Sequence, residues 1–128
     1  MRIKQLDHLV LTVKDIEATC RFYTQVLGMK TVDFAAGRKA LKFGRQKINL
    51  HQQGQEFEPK AQQPTAGSAD LCLLTDMPIA EIIEQLKTSR VPIIVGPLER
   101  TGAEGPLLSI YLRDPDGNLL EIANSIQS

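Results

Sequence analysis

Tryptophan is absent from the chain, and its aromatic residues are four Phe and two Tyr. So few rings argue against a site built by stacking large flat ligands. Neither charge is in excess, because fifteen Lys and Arg balance fifteen Asp and Glu. Without a basic surplus there is no electrostatic footprint for a nucleic-acid backbone or an anionic membrane, which leaves a small molecule or another protein as the expected partner. No apolar run is long enough for a membrane span. MRIKQLDHLVLTV holds no apolar stretch ending in a small-residue cleavage site, so a cytoplasmic protein is expected. Cysteine is scarce too. Cys20 and Cys72 are the two in 128 residues, and a chain with 42% hydrophobic residues does not need a disulfide at this length. Both are read as reduced core residues.

What is present has a repeating order. Leu6 to Val13 is a short, nearly continuous apolar run that suits a buried strand. Asp15 is placed to cap a helix in which Ile16, Cys20, Tyr23 and Val26/Leu27 recur at three- and four-residue steps, with Gly28 as its C-terminal stop. Strands are expected near 29–35, 38–44 and 46–52, separated by Ala36-Gly37 and Gly44-Arg45. Residues 54–68, with Pro59, Pro64 and Gly67, read as a linker. The order then restarts with a strand over 70–75. Asp76 and Pro78 introduce a helix striped by Ile79, Ile82, Ile83 and Leu86, and strands follow at 91–98, 106–113 and 118–123. A Gly-rich loop is expected at 101–105, and Asp114 and Asp116 read as turn formers beside Pro115 and Gly117.

The sequence thus predicts an α+β fold of two tandem βαβββ modules, one over about 1–53 and the other over about 69–128. They would form an open, cleft-lining mixed sheet with the helices on its outer face. Laying His8–Leu11 on Asp70–Leu73 uses an offset of 62, and laying Ile48–Leu50 on Leu120–Ile122 uses 72, the difference being loop insertions.

Strand alternation sorts the polar residues. Leu9, Leu11 and Val13, Ile48 and Leu50, Leu71 and Leu73, and Leu120 and Ile122 occupy one phase and suit the face under a helix. His8, Asn49, His51, Asp70 and Glu121 fall on the other. Imidazole nitrogen with carboxylate oxygen is a donor set for a borderline divalent cation such as Zn, Ni, Mn or Fe. Each residue also has an ordinary reading. His8 suits a hydrogen-bonded structural histidine, Asp70 a local cap, and Asn49, His51 and Glu121 solvent-facing strand positions.

LDHLVLTVKDIEATCRFYTQVLGMK, GSADLCLLT and IYLRDPDGNLLEI, together with the duplicated order, resemble the vicinal oxygen chelate superfamily over essentially the whole chain. That superfamily includes glyoxalase I, methylmalonyl-CoA epimerase, extradiol dioxygenases, fosfomycin-resistance thiol transferases and bleomycin-resistance proteins. Among its subgroups the chain is most similar to glyoxalase-domain-containing proteins.

The resemblance implies that His8 and Glu121 bind one divalent metal ion. Asp70 stands where many relatives have His. Asn49 stands where glyoxalases carry Glu, with His51 two residues on and facing the same way. The implied activity is a lactoylglutathione lyase-like isomerisation of a small oxygenated substrate, such as a thiol adduct, through an enediolate. Glu121 would then shuttle the proton, and His51 would stand in as base for the missing glutamate. Tyr111 and Arg113 share a phase at the end of the seventh strand and suit polar or anionic substrate groups. Two other readings stand beside this one: a thiol transferase of the fosfomycin-resistance type, and a metal-free small-molecule binding protein of the drug-sequestering kind. Exposed strand edges and the pairing seen in relatives of this length imply a homodimer, in which His8 of one chain meets Asp70 and Glu121 of the other.

Overall fold

The computed structural model describes residues 1–126, which run β1 (His8–Val13), α1 (Ile16–Gln25), β2 (Lys30–Phe34), β3 (Arg38–Phe43), β4 (Gln46–Gln52), β5 (Asp70–Leu74), α2 (Ile79–Thr88), β6 (Val95–Thr101), β7 (Pro106–Arg113) and β8 (Leu119–Ser125). The chain divides into two compact units, one over Met1–Ser68 and one from Ala69 onward. Each holds a four-stranded mixed sheet, ordered β1-β4-β3-β2 in the first and β5-β8-β7-β6 in the second. In both, the first and last strands pair in parallel and the remaining pairs are antiparallel. This is the duplicated βαβββ order, with an α+β character.

In the first unit Asp15 caps α1, its Oδ1 accepting from the N–H groups of Glu17 and Ala18 at 2.9 and 3.2 Å. Gly28 closes the helix at φ +71, where the Met29 N–H reaches back to the Tyr23 carbonyl and the Gly28 N–H to that of Thr24. The core lies between α1 and the sheet, where Tyr23, Leu11, Val13, Leu41, Ile48 and Leu50 are buried. Each such side chain contributes about 1.5–3 kcal/mol.

In the second unit Ile79, Ile82 and Leu86 of α2 are buried, as are Ile110, Leu112, Leu120 and Ile122 of the sheet. Ile83 of the expected stripe is only half-buried. Pro78 begins the helix without any side-chain cap of its own. The free Ile79 N–H is instead satisfied by Asn124 Oδ1 at 2.9 Å, while Asn124 Nδ2 donates to the Thr75 and Met77 carbonyls. A residue 45 positions away thus caps α2.

Asp114 builds the last turn as expected, and Asn118, which the pattern did not single out, completes it. Asp114 Oδ1 accepts from the N–H groups of Asp116 and Asn118, and Asn118 Nδ2 donates to Asp114 Oδ2 at 2.8 Å. Asn118 Oδ1 then accepts from the Ala69 N–H, fixing the start of β5 against β8.

Three expectations are corrected. β6 begins at Val95 rather than residue 91 and extends to Thr101, because Pro92 and Pro97 lack the N–H groups a ladder needs and a register shift falls between Val95 and Leu98. Residues 54–68 belong with the first unit, and Phe57 packs its ring against His51 with centroids 5.7 Å apart. The cysteines are free, as read, but neither is a core residue: Cys20 is half-buried and Cys72 exposed, since Cys72 shares its strand phase with Asp70, away from the half-buried Leu71 and Leu73. No helix among the described residues is long and apolar enough to cross a membrane.

Candidate active site

Strand pairing decides which side chains share a face. In the first unit His8 lies opposite Lys47, Val10 opposite Asn49 and Thr12 opposite His51, so all six share the side away from α1. Asn49 is a diagonal neighbour of His8. His51 lies four residues beyond His8's partner Lys47, about 13 Å along the strand at 3.3 Å per residue. His8 Nδ1 bonds Asp7 Oδ2 at 2.8 Å, so the donor lone pair of a neutral ring is the one on Nε2. Asn49 is buried, and its Oδ1 has no hydrogen-bond partner.

His51 sits in a different environment from the one a base would need. It is buried, and Arg38 Nη2 lies 3.2 Å from its Nε2. A guanidinium can only donate, so Nε2 is an occupied acceptor and the ring proton is on Nδ1. Burial first, and the Arg38 charge second, hold the imidazole pKa below its ordinary value. A depressed histidine pKa makes the unfolded chain the better proton acceptor. His51 therefore contributes stability above its unfolded value near pH 6.5, and this is lost as pH falls through the lower native value. We expect the urea midpoint to drop between pH 7.5 and 5, and the drop to shrink in His51→Gln, which keeps an acceptor for Arg38 but does not titrate. An equal drop in both proteins would remove His51 as the cause.

In the second unit Asp70 pairs with Leu119, Cys72 with Glu121 and Tyr111 with Glu121. Asp70, Cys72, Glu121 and Tyr111 thus share one face, with Glu121 flanked on both sides. Glu121 Oε2 accepts a 2.6 Å bond from Ser109 Oγ, and Ser109 is fully buried. Cys72 stands directly opposite Glu121 across the β5–β8 pair. Although Cys72 is exposed as a residue, partial desolvation of its sulfur, then the Glu121 charge, pushes the thiol up to about 11. It remains S–H at neutral pH instead of acting as a thiolate nucleophile.

A cavity of about 610 Å³ opens beside Glu121, lined also by Cys72, Leu74, Arg100 and the Thr101–Pro106 loop. Arg100 Nε donates to Tyr111 Oη at 2.9 Å, and its guanidinium lies 5.5 Å from the centre of that ring. Tyr111 therefore holds Arg100. Arg113 is drawn elsewhere, its Nη1 donating to the Gly117 carbonyl at 3.2 Å, so it braces the turn. Ser109 and Arg100 were not singled out in the sequence. Their link to Glu121 and Tyr111 runs across strands, and only the distinct pairing of β7 with β6 and β8 reveals it.

The candidate donors are divided between the two units. Among the described residues no group of three or more His, Cys, Asp or Glu gathers in one cluster. Each unit supplies two donors instead: His8 Nε2 with the orphaned Asn49 Oδ1, and the Asp70 and Glu121 carboxylates. Imidazole nitrogen and carboxylate oxygen are donors of the type a borderline divalent ion accepts.

A family model described as the Glyoxalase/Bleomycin resistance protein/Dioxygenase superfamily matches residues 5–122. The chain belongs to this superfamily. It is 57% identical to Virulence protein STM3117 of Salmonella typhimurium over 126 residues, 98% of this chain and 88% of that protein. The crystal structure of that protein superposes with a TM-score of 0.97, covering 98% of this chain and 100% of the other. Glyoxalase domain-containing protein RDO1 of Mycosarcoma maydis is 52% identical over 97% of this chain and 70% of its own length. At the level of fold alone, the chain resembles a lactoylglutathione lyase from Agrobacterium tumefaciens (TM-score 0.73, 21% identity, 97% and 96% covered). It also resembles FosX, a fosfomycin resistance protein from Listeria monocytogenes complexed with Mn(II) and sulfate (0.68, 19%, 98% and 93%).

Proposed function

We propose that this chain is a metal-dependent isomerase of the glyoxalase I type, acting on a small oxygenated substrate such as a thiol hemithioacetal. The observation that carries the reading is Glu121: a carboxylate held by Ser109 and facing Cys72 at the wall of a 610 Å³ cavity. His8, Asn49, Asp70 and Glu121 are the residues that would hold a divalent ion, of which Zn, Ni, Mn and Fe suit the donors. Bound there, such an ion would stabilise negative charge developing on a substrate oxygen.

The chain's own groups do the rest. Glu121 takes the proton from the carbon bearing the hydroxyl and returns it to the neighbouring carbonyl carbon, while the hydroxyl proton passes to the carbonyl oxygen, so the carboxylate ends as it began and no oxidant or reductant is consumed. Ser109 fixes the carboxylate so that it does not swing away between the two carbons. Arg100, steadied by Tyr111, reaches polar or anionic substrate groups in the cavity. His51 is committed to Arg38, which leaves Glu121 as the proton carrier. Because each unit offers only two donors, we take the working form to be a homodimer in which each ion draws on a first module and a second module. Free cysteines suit a reducing, cytoplasmic setting.

A thiol transferase of the fosfomycin-resistance type is the second reading. It is favoured by the neutral Asn49 where a second carboxylate would serve proton transfer. Incubating Mn(II)-loaded protein with methylglyoxal and a panel of thiols tests the first: thioester must form with no loss of total thiol adduct. Thiol consumption by an epoxide with no thioester formed would move the assignment to the second.

A further inference from the structure

We propose that the face of the first module turned away from α1 holds an anion site, with Arg38 receiving a carboxylate carried by the small molecule. The pairings put His8, Val10 and Thr12, Lys47, Asn49 and His51, Arg38, Ala40 and Lys42, and Lys30, Val32 and Phe34 on this face. Four of these are Lys or Arg and none is acidic, in a chain whose charges otherwise balance. Lys30, Lys42 and Lys47 are directly opposite one another across three strands. Like charges so placed weaken a sheet unless something negative is gathered there.

Arg38 is the prepared member of the group. Its guanidinium lies 5.0 Å from the centre of Phe34 and 4.8 Å from that of Phe57, and its Nη2 is tied to His51. The His51 Nε2 offers a lone pair to the guanidinium and no carboxylate, so it orients Arg38 without pairing its charge. Among the described residues no carboxylate pairs with Arg38, its Nε is buried with no partner, and Nη1 makes no bond to the protein. The carboxylates in the vicinity are spent. Glu56 accepts from the Gly54 N–H and pairs with Lys60, and Asp7 feels the charges of Lys42 and Lys47 but bonds His8.

An arginine fixed by two rings and a neutral histidine, half-buried and short of acceptors, is arranged for a planar oxyanion whose plane matches the fork. The flanking Phe34 and Phe57 favour a carboxylate on an apolar or aromatic body over a free, strongly hydrated phosphate. The inference takes from the proposed function only that the ligand is the substrate; the anion site itself stands on the first module alone.

Benzoate, its uncharged analogue benzamide and inorganic phosphate are the probes, titrated into the full-length protein while the Arg38 Nε–H and the Ala40 and Asn49 amides are followed by NMR. Benzoate should move these signals saturably, benzamide should leave them in place, and phosphate should bind at least about tenfold more weakly. Arg38→Met, which keeps an apolar stem against the rings, should abolish the benzoate response. Arg38→Lys, which keeps the charge but loses the fork, should weaken it about tenfold. Mn(II) affinity, measured on the same samples, should be unchanged in both, so a failed metal site and a failed anion site give different results. Equal response to benzamide, tighter binding of phosphate, or benzoate binding that survives Arg38→Met in a folded protein would overturn the proposal.

Discussion

Glu121→Gln should lower isomerase turnover by at least about a thousandfold, because it removes both the proton carrier and one charged donor. Gln has the shape of Glu and still accepts from Ser109 Oγ, which lies 2.6 Å from the carboxylate. The loss should therefore appear without a change in the melting temperature beyond a few degrees. Asn49→Ala makes the useful contrast. Its Oδ1 is buried without a partner, so the substitution removes a weak neutral donor and leaves the proton carrier in place. A loss of about tenfold is expected there. Turnover by Glu121→Gln at the wild-type rate on any substrate the wild type converts would refute the role given to this carboxylate.

The largest expected effect on stability comes from Gly96→Ala, at about 3 kcal/mol or more. Gly96 has φ +105, and an added Cβ would lie 2.6 Å from the Ser109 carbonyl oxygen and 3.0 Å from Ile110 Cα. Both are backbone atoms in the middle of β7, so a side-chain rotation cannot relieve the contact. Gly117→Ala separates the two contributions. Its φ is +87 with nothing within 4 Å of the added carbon, so it should cost only about 1 kcal/mol. Chemical denaturation of the three proteins measures both. The residue Gly96 presses on is Ser109, the donor to Glu121, so any Gly96→Ala protein that folds should also lose activity. Equal costs at the two glycines would mean that the close approach to β7 is not what fixes Gly96.

Much of this architecture is legible in the residue pattern. Asp15 and Gly28 bracket α1 where local capping chemistry puts them, and strand alternation separates Leu11, Ile48, Leu120 and Ile122 from His8, Asn49, Asp70 and Glu121 without any knowledge of pairing. What the pattern lacks is register. Whether Asn49 or His51 neighbours His8 depends on how β1 and β4 are aligned, and Val10 opposite Asn49 settles it. His51 looked like a base because its phase was right, yet the guanidinium opposite it on β3 cannot be read from spacing. Arg113 shared a phase with Tyr111, but a local bond to the Gly117 carbonyl takes it, while Arg100, two strands from Glu121, was invisible. Asn124 capping α2 from β8 belongs to the same class of long-range contact. Cys72 was placed in the core on the average behaviour of cysteine, although its own alternation with Leu71 and Leu73 already pointed outward.

The proposed function needs His8, Asn49, Asp70 and Glu121 to act as donors to a divalent ion. The direct measurement is the metal content of protein purified without chelator and reloaded with Mn(II), followed by calorimetric titration of wild type, His8→Ala and Glu121→Gln. One ion per chain is expected in the wild type, and affinity at least about a hundredfold lower when either donor is removed. Wild-type protein that takes up no divalent ion, or variants that bind it as tightly as the wild type, would contradict it.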